Sequence, residues 1–333
     1  MAIEKDQLDE IVVLRFIAII SIVVWHCFAC PYIYWGLAQH TPVAPYFKLI
    51  FPNLIPDANM PLFTFISGYL FCYLFQKGKY SDFKKFVINK AKRLLIPFFV
   101  IGTLVNLTAP QRYLSDILWG GGSHLWYVLM LFWCFMLNWI LEKINNKYLR
   151  YIPFFVSFFL VSLRGSAGRI DHHLPLGMDH AAYYFCYFYF GFFIYKNIDL
   201  AYRISKRYLW LISIAFFVCV STRILQMSYL DKLATPIITF SYCLGLWTAV
   251  NWLLELGKIH LTDWIKKVST YSFGIYVFHE WIAWDTAHIP FIIKTMNEHY
   301  ILFPFVYTTI IFFISYYLTK YLLKNAVGKF LLA

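Results

Sequence analysis

The 333-residue chain is 61% apolar and only 14% charged, against roughly 25% charged residues in ordinary soluble domains, which excludes a water-soluble globular protein. Its formal charge of +12 would suit nucleic acid, but the basic residues stand between apolar runs rather than in one patch, so membrane topology accounts for them better. Aromatics at 22% fit a chain with many turns at a lipid–water boundary.

Residues 1–10 are net acidic, and no small-residue cleavage site follows the first apolar run, so that run is expected to stay in the protein as a helix. Segments of roughly 20 mostly apolar residues are long enough to span a bilayer. Ten such candidates follow in order: 11–30, 59–76, 94–108, 124–141, 151–163, 181–195, 208–225, 234–254, 269–284 and 301–323. The expected fold is therefore an all-α polytopic membrane protein of about ten transmembrane helices. Neither repeats nor low-complexity segments divide the chain, so residues 1–333 read as one domain.

The charges test this count. With the N-terminus in the cytoplasm, the inner segments hold 21 Lys and Arg residues and the outer segments 7, with Arg15 inside the first helix. The bias alternates loop by loop, which places both termini on the cytoplasmic side.

Of the seven cysteines, Cys72, Cys134, Cys186, Cys219 and Cys243 fall inside apolar segments and read as small core residues. Cys27 and Cys30 form a C-x-x-C near the outer end of the first helix, with no further ligands supplied.

A cation inside a spanning helix costs a few kcal/mol, which makes it a functional candidate. The first helix carries two costly residues, Arg15 and His26, eleven positions apart. At 100° per residue they fall on one side of the helix, about 16 Å apart along it. Snorkelling of Arg15 and a hydrogen-bonded interface histidine would also explain them. At the same outer level stand His124, His279 and Glu280, with Asp57 and Asn59 before the second helix; several histidines at one depth can supply a general base and a group that orients it. The inner stretch 77–93 gathers seven cations. Either anionic lipid or a polyphosphorylated cytosolic ligand would suit them, with Arg93 the best shaped for bidentate phosphate contact. In the outer loop 164–180, Asp171, His172, His173, Asp179 and His180 are weakly spaced for zinc, and acceptor binding or plain solvation fits them better; no metal is expected.

These pieces assemble into a pattern. The chain resembles the membrane acyltransferase-3 family, in particular its bacterial sugar O-acetylase branch, over nearly its whole length. The resemblance rests on Arg15-x10-His26, NMPLFTFISGYLF at 59–71, KAKRLLIPFF at 90–99, HLWYVLMLF at 124–132, FYFGFFIYK at 188–196 and YSFGIYVFH at 271–279. It implies transfer of an acyl group, usually acetyl from cytosolic acetyl-CoA as co-substrate, to a carbohydrate hydroxyl on the outer side of a bacterial cytoplasmic membrane. Carried onto this chain, it makes Arg15 and His26 the prime catalytic pair, joined by His279. Arg93, Lys90 and Lys92 would bind the donor, and His124, Trp126, Tyr127, Ser67 and Glu280 the acceptor. Some relatives carry arginine where Lys90 stands, and lysine lacks the guanidinium fork. The expected partners are the carbohydrate acceptor and membrane lipid, with oligomeric state open. A transporter exporting a polysaccharide intermediate without acyl transfer is the rival expectation, since buried ionisable residues also line transport pathways.

Overall fold

Each of the ten expected segments is helical. The computed structural model describes residues 8–32, 56–108, 114–119, 123–164, 174–225, 228–299 and 301–332, and among the described residues there is no β-strand. The helices are α1 (Asp9–Tyr32), α2 (Pro56–Gln76), α3 (Phe83–Lys90), α4 (Ile96–Thr108), α5 (Trp126–Lys143), α6 (Lys147–Arg164) and α7 (Met178–Lys196). They continue with α8 (Ile198–Arg207), α9 (Leu209–Ile224), α10 (Ser228–Glu255), α11 (Asp263–Ala287), α12 (Pro290–Glu298), α13 (Phe303–Leu322) and α14 (Ala326–Leu332). Residues 165–173, which contain the expected loop histidines His172 and His173 and Asp171, lie outside the described residues, as does the side chain of Cys30.

Among the described residues, four helical stretches are long and apolar enough to cross a membrane: Asp9–Phe28, Phe83–Thr108, Ala234–Glu255 and Phe303–Leu322. A fifth arises if Ile198–Arg207 and Leu209–Thr222, bent by 71°, form one broken span. The other expected spans are helical but more polar; α6, for instance, carries Lys147, Arg150 and Arg164 within its own length.

The third segment departs most from expectation. It does not start at residue 94. Asp82 caps α3 by accepting from the Lys85 N–H, and a π-helical turn at Ala91–Leu95 joins α3 to α4. The basic stretch is therefore part of one rod, and a π turn of this kind shifts the register of the residues it holds, here Lys92 and Arg93.

Helix α1 is central, packing against α2, α10, α11 and α13. Ile19, Ile22, Val23 and Cys27 enter a large apolar core shared with α5 and α11, while Leu14 and Ala18 enter a second one shared with α2 and α10. Burying such side chains contributes about 1.5–3 kcal/mol each in water. Within lipid, where that force fades, close packing of small residues takes over. The tightest pair is α2 with α7. A Cβ on Gly68 would stand 1.8 Å from the Phe188 carbonyl oxygen, and one on Gly191 1.9 Å from that of Phe65.

Polar staples fix the bundle at one end. Tyr69 donates to Glu10 Oε1 at 2.9 Å, tying α2 to α1. Half-buried Glu142 of α5 receives Arg150 at 3.5 Å and Lys196 at 3.2 Å, drawing α6 and α7 together. The outward faces are apolar, with Phe155, Phe159, Trp210, Phe217 and Phe305 all exposed, a surface that hydrocarbon covers and water does not.

Candidate active site

Three helices that are far apart in sequence bring four ionisable side chains together. His26 comes from α1, His124 from the 3-10 turn that opens α5 (Ser123–Leu125), and His279 and Glu280 from α11. His26 Nε2 lies 3.0 Å from Glu280 Oε2, and His124 Nδ1 lies 3.2 Å from the same oxygen. His26 Nδ1 is 3.0 Å from His279 Nε2. The ring centroids of His26 and His279 stand 4.8 Å apart, and those of His124 and His279 5.3 Å.

Backbone carbonyls aim the rings. His279 Nδ1 faces the Tyr276 carbonyl at 2.6 Å and that of Ile275 at 3.1 Å. His124 Nε2 faces the Val277 carbonyl at 3.1 Å, and the Tyr276 hydroxyl donates back to the His124 carbonyl. His26 Nδ1 also reaches the carbonyl of Ile22 one turn earlier, at 3.1 Å. His279 is fully enclosed and His124 nearly so, whereas the His26 side chain keeps 19% of its surface open. Of the four, His26 is the most exposed.

A second polar group lies toward the other end of α1. Arg15 is half-buried and within electrostatic range of Arg93 and of Tyr127. Lys90 is in range of both arginines, and its ammonium sits 3.5 Å from the ring centroid of Phe135, with Tyr80 at 5.2 Å and Phe86 at 5.9 Å. Such ring faces stabilise a desolvated ammonium by about 2 kcal/mol. That cage suits a compact ammonium, and it gives position 90 a reason to be lysine and not arginine. Arg93 is exposed at the mouth of the group, and Lys92 is exposed on the same π turn. Among the described residues, none of Arg15, Lys90 or Arg93 forms an ion pair with a carboxylate. Converging cations without an anion favour a polyanionic ligand.

Two rulers give the separation of these groups. Arg15 and His26 are eleven residues apart on α1, and His124 and Phe135, which holds Lys90, are eleven apart at α5. Both correspond to a rise of about 16 Å. The helices run antiparallel, so the two groups coincide at both ends.

The remaining expected site residues sit between or beside the groups. Tyr127 is buried near Ser67 and Thr64 of α2, whose hydroxyls donate to the Phe63 and Met60 carbonyls. Trp126 is half-buried, with its ring 4.6 Å from that of His180 and 5.2 Å from Tyr184. His180 is paired with Asp179 at 3.2 Å. Among the described residues no group of three or more His, Cys, Asp or Glu is arranged to hold a metal. Cys27, next to His26 in sequence, is buried. Sequence reasoning missed Tyr276 and the Val277 carbonyl. The i, i+3 spacing of Tyr276 and His279 puts them on one face of α11 and was the available signal.

An all-helical membrane protein with a buried histidine–carboxylate cluster and a separate group of cations that has no carboxylate partner among the described residues has the makings of a membrane-embedded group-transfer enzyme. The comparison with known families agrees: the chain matches the family model described as an acyltransferase domain over residues 8–323. It belongs to the acyltransferase-3 family and is a membrane acyltransferase. No curated protein and no solved structure gives a significant match.

Proposed function

We propose that this protein is an integral-membrane O-acyltransferase that moves an acyl group, acetyl above others, from cytosolic acyl-CoA to a hydroxyl of a cell-surface or lipid-linked carbohydrate. The observation that carries the reading is the pairing of His26 with Glu280 of α11 at 3.0 Å, with His26 on the same helix, α1, that sets Arg15 near two further cations. The lysine and arginines bind the donor phosphates, and its thioester arm follows α1 toward His26. The acceptor hydroxyl enters beside His26 and gives up its proton to the His26–Glu280 pair as its oxygen attacks the thioester carbonyl. The departing thiolate of CoA takes that proton back, so the site ends as it began. General-base assistance of this type supplies about 10²–10⁴-fold in rate.

The acceptor reading is supported by Trp126, two residues from His124, whose ring lies tilted beside those of His180 and Tyr184. Aromatic surface edged by polar groups is what a sugar ring requires. Ten crossings with both termini in the cytoplasm, in a bacterial cytoplasmic membrane, are supported by the helical state of every expected span and by the 21-to-7 cation bias. This orientation sets the cation group inside, where CoA is found, and the histidines outside.

The test is direct. Purified protein in lipid, given labelled acetyl-CoA and candidate glycans, yields a labelled ester and free CoA in amounts that match. Glycan uptake into vesicles with no CoA release would replace the proposal with the transporter. Accessibility labelling of single cysteines placed at 144–146 and at 301–302 checks the orientation, since the first should react from the cytoplasm and the second from outside.

A further inference from the structure

The histidine cluster contains more information than the identity of a base. Backbone carbonyls only accept hydrogen bonds, so every ring nitrogen that faces one carries a proton. His279 Nδ1, with the carbonyls of Tyr276 and Ile275 at 2.6 and 3.1 Å, is therefore an N–H. A neutral His279 then presents Nε2 as a lone pair. Opposite it, 3.0 Å away, is His26 Nδ1, which must donate. The Ile22 carbonyl, 3.1 Å from that same nitrogen, makes the same demand. One proton on His26 Nδ1 satisfies both partners.

The same logic applies to His124, whose Nε2 faces the Val277 carbonyl and whose Nδ1 is therefore a lone pair in the neutral ring. Glu280 Oε2 thus meets two lone pairs, His26 Nε2 at 3.0 Å and His124 Nδ1 at 3.2 Å. At least one proton must lie among these three groups for either contact to be attractive. Because His124 can hold it with Glu280, His26 Nε2 is left free to accept another.

Resting on the acyl-transfer reading above, we propose that His279 is a positioning residue: it locks His26 into the Nδ1–H tautomer, so that Nε2, backed by the carboxyl that His124 shares, is the only nitrogen of His26 able to take the acceptor proton. His279 cannot itself meet substrate, being fully enclosed. Neutral imidazole in water favours the opposite, Nε2–H tautomer, which would donate to Glu280 Oε2 but set a lone pair at Nδ1 against the Ile22 carbonyl and the lone pair of His279 Nε2. Holding the wrong tautomer in a comparable triad costs about 10⁴-fold; here the Ile22 carbonyl still favours the right one, so the cost is smaller.

The experiment compares His279→Gln with His279→Leu in the full-length protein. A glutamine offers an oxygen to His26 Nδ1–H and an amide to the helix carbonyls, whereas leucine offers neither. Acetyl transfer from labelled acetyl-CoA should fall about 100-fold in kcat for the leucine variant, with little change in KM for acetyl-CoA. The glutamine variant should retain most of the rate. Selective ¹⁵N-histidine spectra, assigned by the loss of one ring in His26→Ala, should show neutral His26 protonated at Nδ1 in the native protein and in His279→Gln, and moving toward the Nε2–H form in His279→Leu. Equal rates for the leucine and glutamine variants, or a native His26 protonated at Nε2, would overturn the inference; the second needs no variant at position 279. Failure of the function itself has a different signature, because the native protein would then show no acetyl transfer while the His26 spectrum is unaffected.

Discussion

Glu280 Oε2 stands between His26 Nε2 and His124 Nδ1, 3.0 Å from the first and 3.2 Å from the second. A carboxyl shared in this way can hand a proton to either ring, and an amide cannot. In Glu280→Gln the side-chain NH2 would donate to the lone pair of His26 and occupy it permanently. The expected result is a drop of about 10²–10⁴-fold in kcat. The KM for acyl-CoA should barely move, since the cation group is about 16 Å away along α1. Steady-state kinetics on protein in nanodiscs measure both constants, and a change confined to KM would contradict the placement of Glu280 at the chemistry.

Arg15 reads the other way. It lies within range of Arg93 and Lys90, with no carboxylate partner among the described residues. Three unpaired cations repel one another in the free protein, and a polyphosphate relieves that repulsion on binding. Arg15→Ala should therefore weaken acyl-CoA binding by about 10–100-fold, in keeping with roughly 1.5–3 kcal/mol for a charge-assisted hydrogen bond. The thermal stability of the unliganded protein should hold or rise. Calorimetric titration with CoA and a melting curve without it separate the two effects. A stabilising role for Arg15 would instead appear as a lower melting temperature without ligand.

How much of this was legible beforehand follows from what each feature depends on. Helix positions followed from apolar run length, and Arg15 and His26 stood out because burying them is costly. Their shared side of α1 followed from helical geometry alone. The pairing of His26 with α11, across 253 residues for the His26–His279 contact, depends on how three helices pack and leaves no local trace. The sequence reading set Glu280 among acceptor-binding residues, and its contacts with His26 and His124 could not be read from the spacing of the three. Nor could the sequence reveal the π turn at Ala91–Leu95, because its register is fixed by packing and not by any residue signature.

The α2–α7 contact gives a prediction about folding and not chemistry. Gly68 approaches the Phe188 carbonyl so closely that an added methyl would lie 1.8 Å from its oxygen, and Gly191 does the same to Phe65. Neither oxygen can withdraw, because each belongs to helix backbone. Gly68→Ala should force the helices apart and cost several kcal/mol, above the usual 1–3 kcal/mol of overpacking. The readout is the yield of monodisperse protein after detergent extraction and its melting temperature. Gly245→Ala, whose Cβ would meet only an Ile212 methyl at 3.4 Å, serves as the tolerated control.

Trp126 offers a test of where the acceptor lies. Its ring packs on His180 and Tyr184 yet stays partly open. Replacing it with alanine removes an aromatic platform worth about 1 kcal/mol or more and leaves His124 in its turn. The KM for the glycan should rise about 5–10-fold, with the KM for acetyl-CoA unchanged. Trp126→Phe, which keeps the ring face, should recover most of the loss. Equal effects on both substrates would mean that the substitution disturbs the bundle and not the acceptor.

The last prediction concerns whether His26 ever carries the acyl group. His26 Nε2 lies 3.0 Å from Glu280 Oε2, so it can take up the hydrogen of an approaching hydroxyl beside the carboxyl, whereas a bonded acyl carbon does not fit between the two atoms. An acyl carbon bonded to Nε2 would have to drive Glu280 out, into a site already closed by His124 and Tyr276. The other nitrogen of His26 is closed by His279. Transfer should then pass directly from thioester to acceptor while both are bound. Incubation with acetyl-CoA and labelled free CoA, in the absence of any glycan, should give no label in acetyl-CoA. An acyl-enzyme would exchange the label readily, because formation of the intermediate releases CoA before the acceptor arrives. Exchange that vanishes in His26→Ala would show the imidazole to be a carrier, and the 3.0 Å contact would then describe only the resting site.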